Sequence, residues 1–449
     1  MRFLPQTDAE IADMLTTIGV PSIDDLIAHV PAPLRARATI KLAPGMTEAQ
    51  VAAEMQSLAA RNRGATDFRS FLGAGYYRHY VPAAVRAIVA RSEFATSYTP
   101  YQPEASQGTL QAIFEFQTLI TQLTGLEVAN ASMYDGASAA AEAVLMAHRI
   151  LPRRNVVALS RGLWPDYRLA VRTYLSALSH LEIEEIPFDP NVGTIAIDSL
   201  RAVAGDRLLC TLVGYPNMFG IVEPLGAVSE IAHQAGGLSI SATAEPLALG
   251  LLKAPGEIGA DIAVGEGQSF GLPPQFGGPG VGFFAGRLAH VRQMPGRLVG
   301  ETRDREGRRA FCLTLATREQ HIRRERATSN ICTNHSLCAL AVTVYLSLMG
   351  ARGLRELAEH NVEIAHYAAD RLASAGIKRR FSGPFFNEFV VDLGDVPSAL
   401  QAAERNGVLA GLPLGPDYPE LDGTIVICAT EMNQPADIDL LCEALSKGV

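Results

Sequence analysis

Two stretches of this sequence gather side chains able to do chemistry, and each also has a plainer structural reading. In residues 98–108 (Tyr98-Thr99-Pro100-Tyr101-Gln102-Pro103-Glu104-Ala105-Ser106-Gln107-Gly108), aromatic, amide and acidic groups sit in a segment that Pro100 and Pro103 keep out of a helix. Polar groups on a stiff loop just before a helix suit ligand contact; a domain linker anchored by its tyrosines would use the same residues. The second stretch, Asn130-Ala131-Ser132-Met133-Tyr134-Asp135-Gly136-Ala137-Ser138, runs straight into an alanine-rich helix ending near His148. Backbone amides at such a helix start, with small residues allowing close approach, form a phosphate cradle. Equally, Asp135 and Ser138 can simply cap the helix, and an aspartate there would repel a phosphate.

A glycine-rich loop at 265–282 follows an apolar strand, and its many positions free to adopt positive φ imply tight turns against something bulky. It lacks the GxGxxG order opening a helix, and no GxxxxGK[ST] occurs, so nicotinamide and P-loop readings have no anchor. HExxH is absent, which leaves the zinc-protease reading without an anchor. Cys332, His335 and Cys338 have metal-like spacing without an evident fourth ligand, so burial at a helix start is the reading and no metal is expected. Lysine is the informative scarcity: Lys41, Lys253, Lys378 and Lys447 stand among 38 basic residues, and only Lys253 lies near the glycine-rich loop. Its flanks, an apolar 247–252 and Pro255-Gly256, predict a surface turn.

The elements that must position these groups follow from periodicity. Residues 1–70 hold short helices over 9–18, 22–29 and 47–60, the last with capping-box spacing at Thr47 and Gln50, separated by Pro21, Pro31, Pro33 and Pro44. Such pieces cannot bury a core among themselves, so the segment is expected to pack as an arm across another domain or subunit. From 71 to 329 helices (109–123, 138–150, 224–234) alternate with apolar strands (156–159, 208–213, 238–241, 262–264), the pattern of a mostly parallel sheet covered on both faces. Residues 330–449 carry a helix after Thr333-Asn334, a second over 354–375 and strands at 388–391 and 424–429, a smaller α+β domain.

Composition bounds the function. With 48% hydrophobic and 19% charged residues the chain should fold, and a net charge of −9 argues against nucleic acid as a partner. The basic run at 318–326 alternates with Glu319 and Glu325 and reads first as a solvated or interface helix. Six scattered cysteines suit reduced cytoplasmic thiols. The N-terminus meets acid and proline before any apolar run, implying no export, and the apolar stretch 337–349 is shorter than the ~20 residues a bilayer span needs.

Taken together, 71–79 (Phe71-Leu72-Gly73-Ala74-Gly75-Tyr76-Tyr77-Arg78-His79), the 98–117 segment, Tyr215-Pro216-Asn217-Met218-Phe219-Gly220, the glycine-rich loop and 317–331 resemble the glycine decarboxylase P-protein family, in the right order and from about residue 2 to the end. The resemblance implies the aspartate-aminotransferase-like, PLP-dependent fold type I, built as a dimer with active sites at the subunit interface. In that chemistry a lysine holds the coenzyme covalently and an aspartate pairs with the pyridine nitrogen. The residues matching those two positions here are Gln268 and Ala242, so the resemblance implies that this chain holds no PLP covalently and carries no catalytic residue of its own.

Its length matches the amino-terminal half of the family's single-chain form, the half that is a separate alpha subunit when the protein is divided between two genes. The partners so implied are a PLP-bearing beta subunit, in an α2β2 heterotetramer, and the lipoyl H-protein. Tyr98, Tyr101, Gln102 and Gln107 are the residues expected to reach the beta site, and Ser132, Asp135, Ser138 and Gln268 to line a degenerate cofactor pocket. Two alternatives stand beside this reading: an independent PLP enzyme using Lys253, and a scaffold that carries a small ligand in the degenerate pocket.

Overall fold

Capping residues set the first of two units, 1–64. The computed structural model describes residues 5–38, 42–64, 67–331 and 333–446, so Lys41, Cys332 and Lys447 lie outside the described residues. Helices Asp8–Ile18 and Glu48–Ala59 both open with a reciprocal capping box, Thr7 with Glu10 and Thr47 with Gln50, each satisfying backbone donors that a helix start leaves unpaired. The helix expected over 22–29 is one turn, Ile23–Leu26. A further turn, Ala32–Arg37, forms where Pro31 and Pro33 were read only as separators. Proline is compatible with a first turn because the N–H it lacks would be unpaired there anyway. No residue of these helices is buried, and Met14, Ile18, Met55 and Leu58 are all exposed.

The second unit, 65–449, is organised by a seven-stranded sheet. Its order is Val128–Ala129, Gly282–Gly286, Ile262–Glu266, Leu238–Thr243, Leu208–Gly214, Val156–Ser160, Glu182–Ile186. The last five run parallel, and Gly282–Gly286 is antiparallel to both its neighbours. The strands from Gly282–Gly286 to Val156–Ser160 are buried throughout, as strands covered on both faces are, the serines of Leu238–Thr243 included. Helix Gly136–Ile150 packs across the sheet with ten buried residues, half of them alanine, which lets it lie close.

Sequence reading overlooked the helix Pro165–Leu175, the edge strand Glu182–Ile186 and the hairpin Leu298–Arg303 with Arg309–Thr314. The basic run at 318–326 is no continuous helix but a single turn, Gln320–Arg323, between two 3-10 turns, with Arg318 folded inward onto the carbonyls of Met294 and Gly296.

Toward the C-terminus, Ser336–Ser374 contains the two expected helices, separated at Gly350, whose φ of 59° breaks the helical geometry. Strands Glu388–Asp392, Thr424–Cys428 and Leu412–Pro413 form a small antiparallel sheet. Arg69–Ser70 pairs in parallel with Val408–Leu409, and Cys428 donates its backbone N–H to the Phe71 carbonyl. The chain entering at 69–71 is thus stitched to the C-terminal sheet before it crosses toward the glycine-rich loop.

Candidate functional site

The strand Ile262–Glu266 ends in a buried carboxylate, and the site is built around it. Glu266 accepts from the backbone N–H of Val281 (2.7 Å) and Gln268 (3.1 Å) through Oε1, and from that of Gly136 (3.1 Å) through Oε2. Burial pushes its pKa up to about 7, against the pull of these three donors, and neighbouring Asp135 adds to the rise. One carboxyl group therefore joins the glycine-rich loop to the start of helix Gly136–Ile150.

At that helix start Asp135 and Ser138 form a capping box, with Asp135 Oδ1 accepting from Ser138 N–H at 2.7 Å. The capping reading of this stretch is thus realised. Gly136 has no room for a side chain, since the Tyr167 hydroxyl lies where a Cβ would project. Ser132, fully buried at a φ of 122°, accepts from Asn334 Nδ2 at 3.1 Å.

Gln268 is likewise buried, and its amide behaves as a surrogate peptide. Oε1 accepts from Tyr77 N–H at 2.9 Å, while Nε2 donates to the carbonyls of Tyr77 (3.0 Å) and Leu272. An amide pairs both ways with a backbone unit; an ammonium, with donors only, could not. Ala242 is completely buried within strand Leu238–Thr243, and its carbonyl accepts from Tyr215 N–H at 2.7 Å.

The segment so gripped, 73–80, is also held by three acids, Glu245, Glu388 and Glu431, that sequence reading did not single out. Tyr77 Oη donates to Glu388 Oε2 at 2.8 Å, and Ala74 N–H to Glu388 Oε1 at 2.6 Å. His79 lies between two carboxylates, Nε2 at 2.9 Å from Glu245 and Nδ1 at 2.8 Å from Glu431, and Glu431 also accepts from Tyr80 N–H. Burial works against charge on His79, but Glu245 and Glu431 outweigh it and push its pKa up to about 10. Burial would likewise raise Glu431; His79 instead holds it down at about 2. The one available signal was Tyr77-Arg78-His79 within a segment already notable for its resemblance. For Glu266 it was a charge flanked by glycines at the end of an apolar strand.

A PLP coenzyme does not fit this arrangement. Gln268, which the resemblance sets at the anchoring position, has its amide already bonded on both sides, and Ala242, which it sets opposite the pyridine nitrogen, offers no acid. The donors of the helix start are taken by Glu266 and Asp135, two acids where a phosphate would need cations and free N–H groups. Of the described lysines, Lys253 and Lys378 are both exposed, as expected.

The 98–108 loop is different in kind. Tyr98 is 80% exposed and Tyr101 56%, and Gln102 is exposed. Arg297, itself buried, donates to Tyr101 Oη at 2.9 Å and Thr99 Oγ1 at 3.3 Å, fixing the loop from beneath. Gln107 is turned inward, its amide bonded to both backbone groups of Phe311 and to the Pro103 carbonyl. The structure therefore separates the four loop residues into two free aromatic and amide groups, one tethered tyrosine and one structural glutamine.

The comparisons agree with one another. The family described as glycine cleavage system P-protein matches residues 1–445. A protein of Geobacillus kaustophilus named "Probable glycine dehydrogenase (decarboxylating) subunit 1" is 49% identical over 448 residues, covering 100% of this chain and 99% of its own. A solved structure described as glycine decarboxylase (P-protein) of the glycine cleavage system, in inhibitor-bound form, superimposes with a TM-score of 0.91 at 44% identity, covering 100% of both chains. A glutamate decarboxylase of Lactobacillus brevis, at 14% identity and a TM-score of 0.69 over 91% of this chain and 95% of its own, shares the fold alone. The architecture is the PLP-dependent fold type I that the resemblance implied. On this evidence the chain belongs to the glycine cleavage system P-protein family.

Proposed function

We propose that this chain is the alpha subunit of a two-subunit glycine decarboxylase of the glycine cleavage system, inactive alone, and that a homologous beta subunit carries the PLP. The observation that carries the reading is the Gln268 amide, buried and bonded on both sides to Tyr77 where the family's coenzyme lysine would stand. With beta as an α2β2 heterotetramer, glycine would lose CO2 at the beta site and the aminomethyl remainder would pass to the lipoyl arm of the H-protein. PLP would supply the electron sink there; what this chain contributes is position. Its share is a rigid wall, with Tyr98 and Gln102 exposed to reach across, Tyr101 held beside them by Arg297, and Gln107 acting by holding the hairpin beneath them.

On this reading 1–70 is an arm that packs on a neighbouring domain or subunit, 71–329 the large domain and 330–449 the smaller α+β domain. A cytoplasmic location is supported by the half-buried setting of the apolar helix Ser336–Ser374, which suits a core helix better than a membrane span. The independent-enzyme reading is disfavoured, because Lys253 is an exposed turn residue whereas the Gln268 position is buried.

The test is reconstitution. Purified alone with PLP, the chain should develop no visible band of lysine-bound coenzyme and no glycine-dependent CO2 exchange; adding the beta subunit should restore both. Exchange by this chain alone, with coenzyme on one of its own lysines, would overturn the assignment.

A further inference from the structure

Away from the site described above, a cavity of about 450 Å3 opens between helix Gln107–Thr124, the turn after Pro246–Gly250 and the broken helix Ser336–Ser374. That volume lies within the ~300–1,000 Å3 typical of small-molecule sites. Its walls are aliphatic, with Leu119, Leu123, Leu249, Leu252, Leu346 and Leu354 all in the lining. The break at Gly350 belongs to the cavity: a continuous helix would have carried its backbone straight past, whereas a φ of 59° steps the chain aside.

One cation stands in this apolar lining. Lys253 makes no ion pair or side-chain hydrogen bond with any described residue, and its backbone carbonyl accepts from Tyr215 Oη at 3.4 Å, which steadies the turn that presents it. Glu257 also lines the cavity but leans its stem against Gly125. With one lysine and one glutamate, the lining matches a single negative charge and opposes a second. In a chain with four lysines among 38 basic residues, an unpaired one at the mouth of an aliphatic cavity has a specific use open to it. The ammonium is exposed, so a carboxylate beside it forms an ion pair of the modest, solvent-accessible kind.

We propose that this cavity binds a small monocarboxylate with an aliphatic tail, the tail among the leucines and the carboxylate on Lys253.

Octanoate is the probe, titrated calorimetrically into the full chain and into the chain reconstituted with its beta subunit, with octanol as the uncharged control. One octanoate should bind per chain in both preparations, more tightly than octanol. Lys253→Met keeps the stem and removes the charge; it should weaken octanoate about fivefold, the scale of a solvent-accessible ion pair, and leave octanol unchanged. Ser347→Trp, at an exposed lining position, should fill the cavity and abolish binding of both without altering thermal stability. Absence of octanoate binding, equal affinity for octanol, wild-type affinity in either variant, or loss of binding once beta is added would each overturn the proposal.

Discussion

Two polar regions of this fold have opposite economies. Around Gln268, Glu266 and the 73–80 segment, nearly every donor and acceptor faces inward and is matched by another part of the same chain. Along 98–108 the polar groups divide: Gln107 and Thr99 are bound from below, while Tyr98 stands almost fully in solvent. The difference teaches where to look for function on the proposed reading: the closed region around Gln268 serves as scaffold, and the surface loop presents Tyr98 and Gln102 to a partner.

Breaking the inward network should cost most at His79. His79→Leu leaves Glu245 and Glu431 buried without a cation, and should lower stability by about 3–5 kcal/mol in denaturant unfolding. The pH dependence follows from the same triad. Because folding raises the His79 pKa from 6.5 to about 10, its contribution is complete below pH 6.5 and is lost as pH climbs toward 10. Glu431, lowered from 4.5 to about 2, contributes above pH 4.5 and loses its share as pH falls toward 2. Glu266 and Glu388, raised by burial to about 7 and about 8, also disfavour the folded state as pH rises above 4.5. Stability should therefore peak near pH 4.5 and fall as pH rises, with His79 joining the loss above pH 6.5, and His79→Leu should make the alkaline decline shallower. An unchanged slope would remove His79 from the account.

Next in size is Gln268→Lys. It should destabilise by roughly 2–4 kcal/mol, because an ammonium enters a closed site and Tyr77 N–H loses its acceptor. Even combined with Ala242→Asp it should give no visible band with PLP, since Glu266 and Asp135 still occupy the helix start. A band would mean that the pocket is less closed than its hydrogen bonds imply. Gln107→Ala should cost about 1–2 kcal/mol, with faster amide exchange concentrated in the Arg309–Thr314 strand. Smallest in stability and most telling in function is Tyr98→Ala. The isolated chain should change by no more than about 0.5 kcal/mol. CO2 exchange by the reconstituted complex should nonetheless fall severalfold; unchanged exchange with intact assembly would remove Tyr98 from the beta site.

Much of this fold was legible because its elements are buried on both faces or capped by local sequence. The strands at 156, 208, 238 and 262 carry apolar or small residues and no charge before their ends, and Thr47-Gln50 announces its own helix. What escaped was amphipathic or half-exposed. Glu182–Ile186 mixes three glutamates with two isoleucines at the sheet edge, Arg309–Thr314 is half-exposed, and Pro165–Leu175 opens on Trp164-Pro165 without a side-chain cap. At the site, the resemblance singled out Gln268 and Ala242 but not the reason either is tolerated. For Gln268 that reason lies in its pairing with Tyr77, 191 residues away, and the His79–Glu245 pair spans 166; no local pattern encodes either.

The two-way bond between Gln268 and Tyr77 also bears on history. Once an amide had closed over that backbone, restoring an amine by one substitution would leave a stranded donor in the interior and recover no activity until other positions changed as well. Each intermediate would be less stable than its parent and no more active, so the loss works as a ratchet: a lineage that crossed it would keep its division of labour without further selection against return.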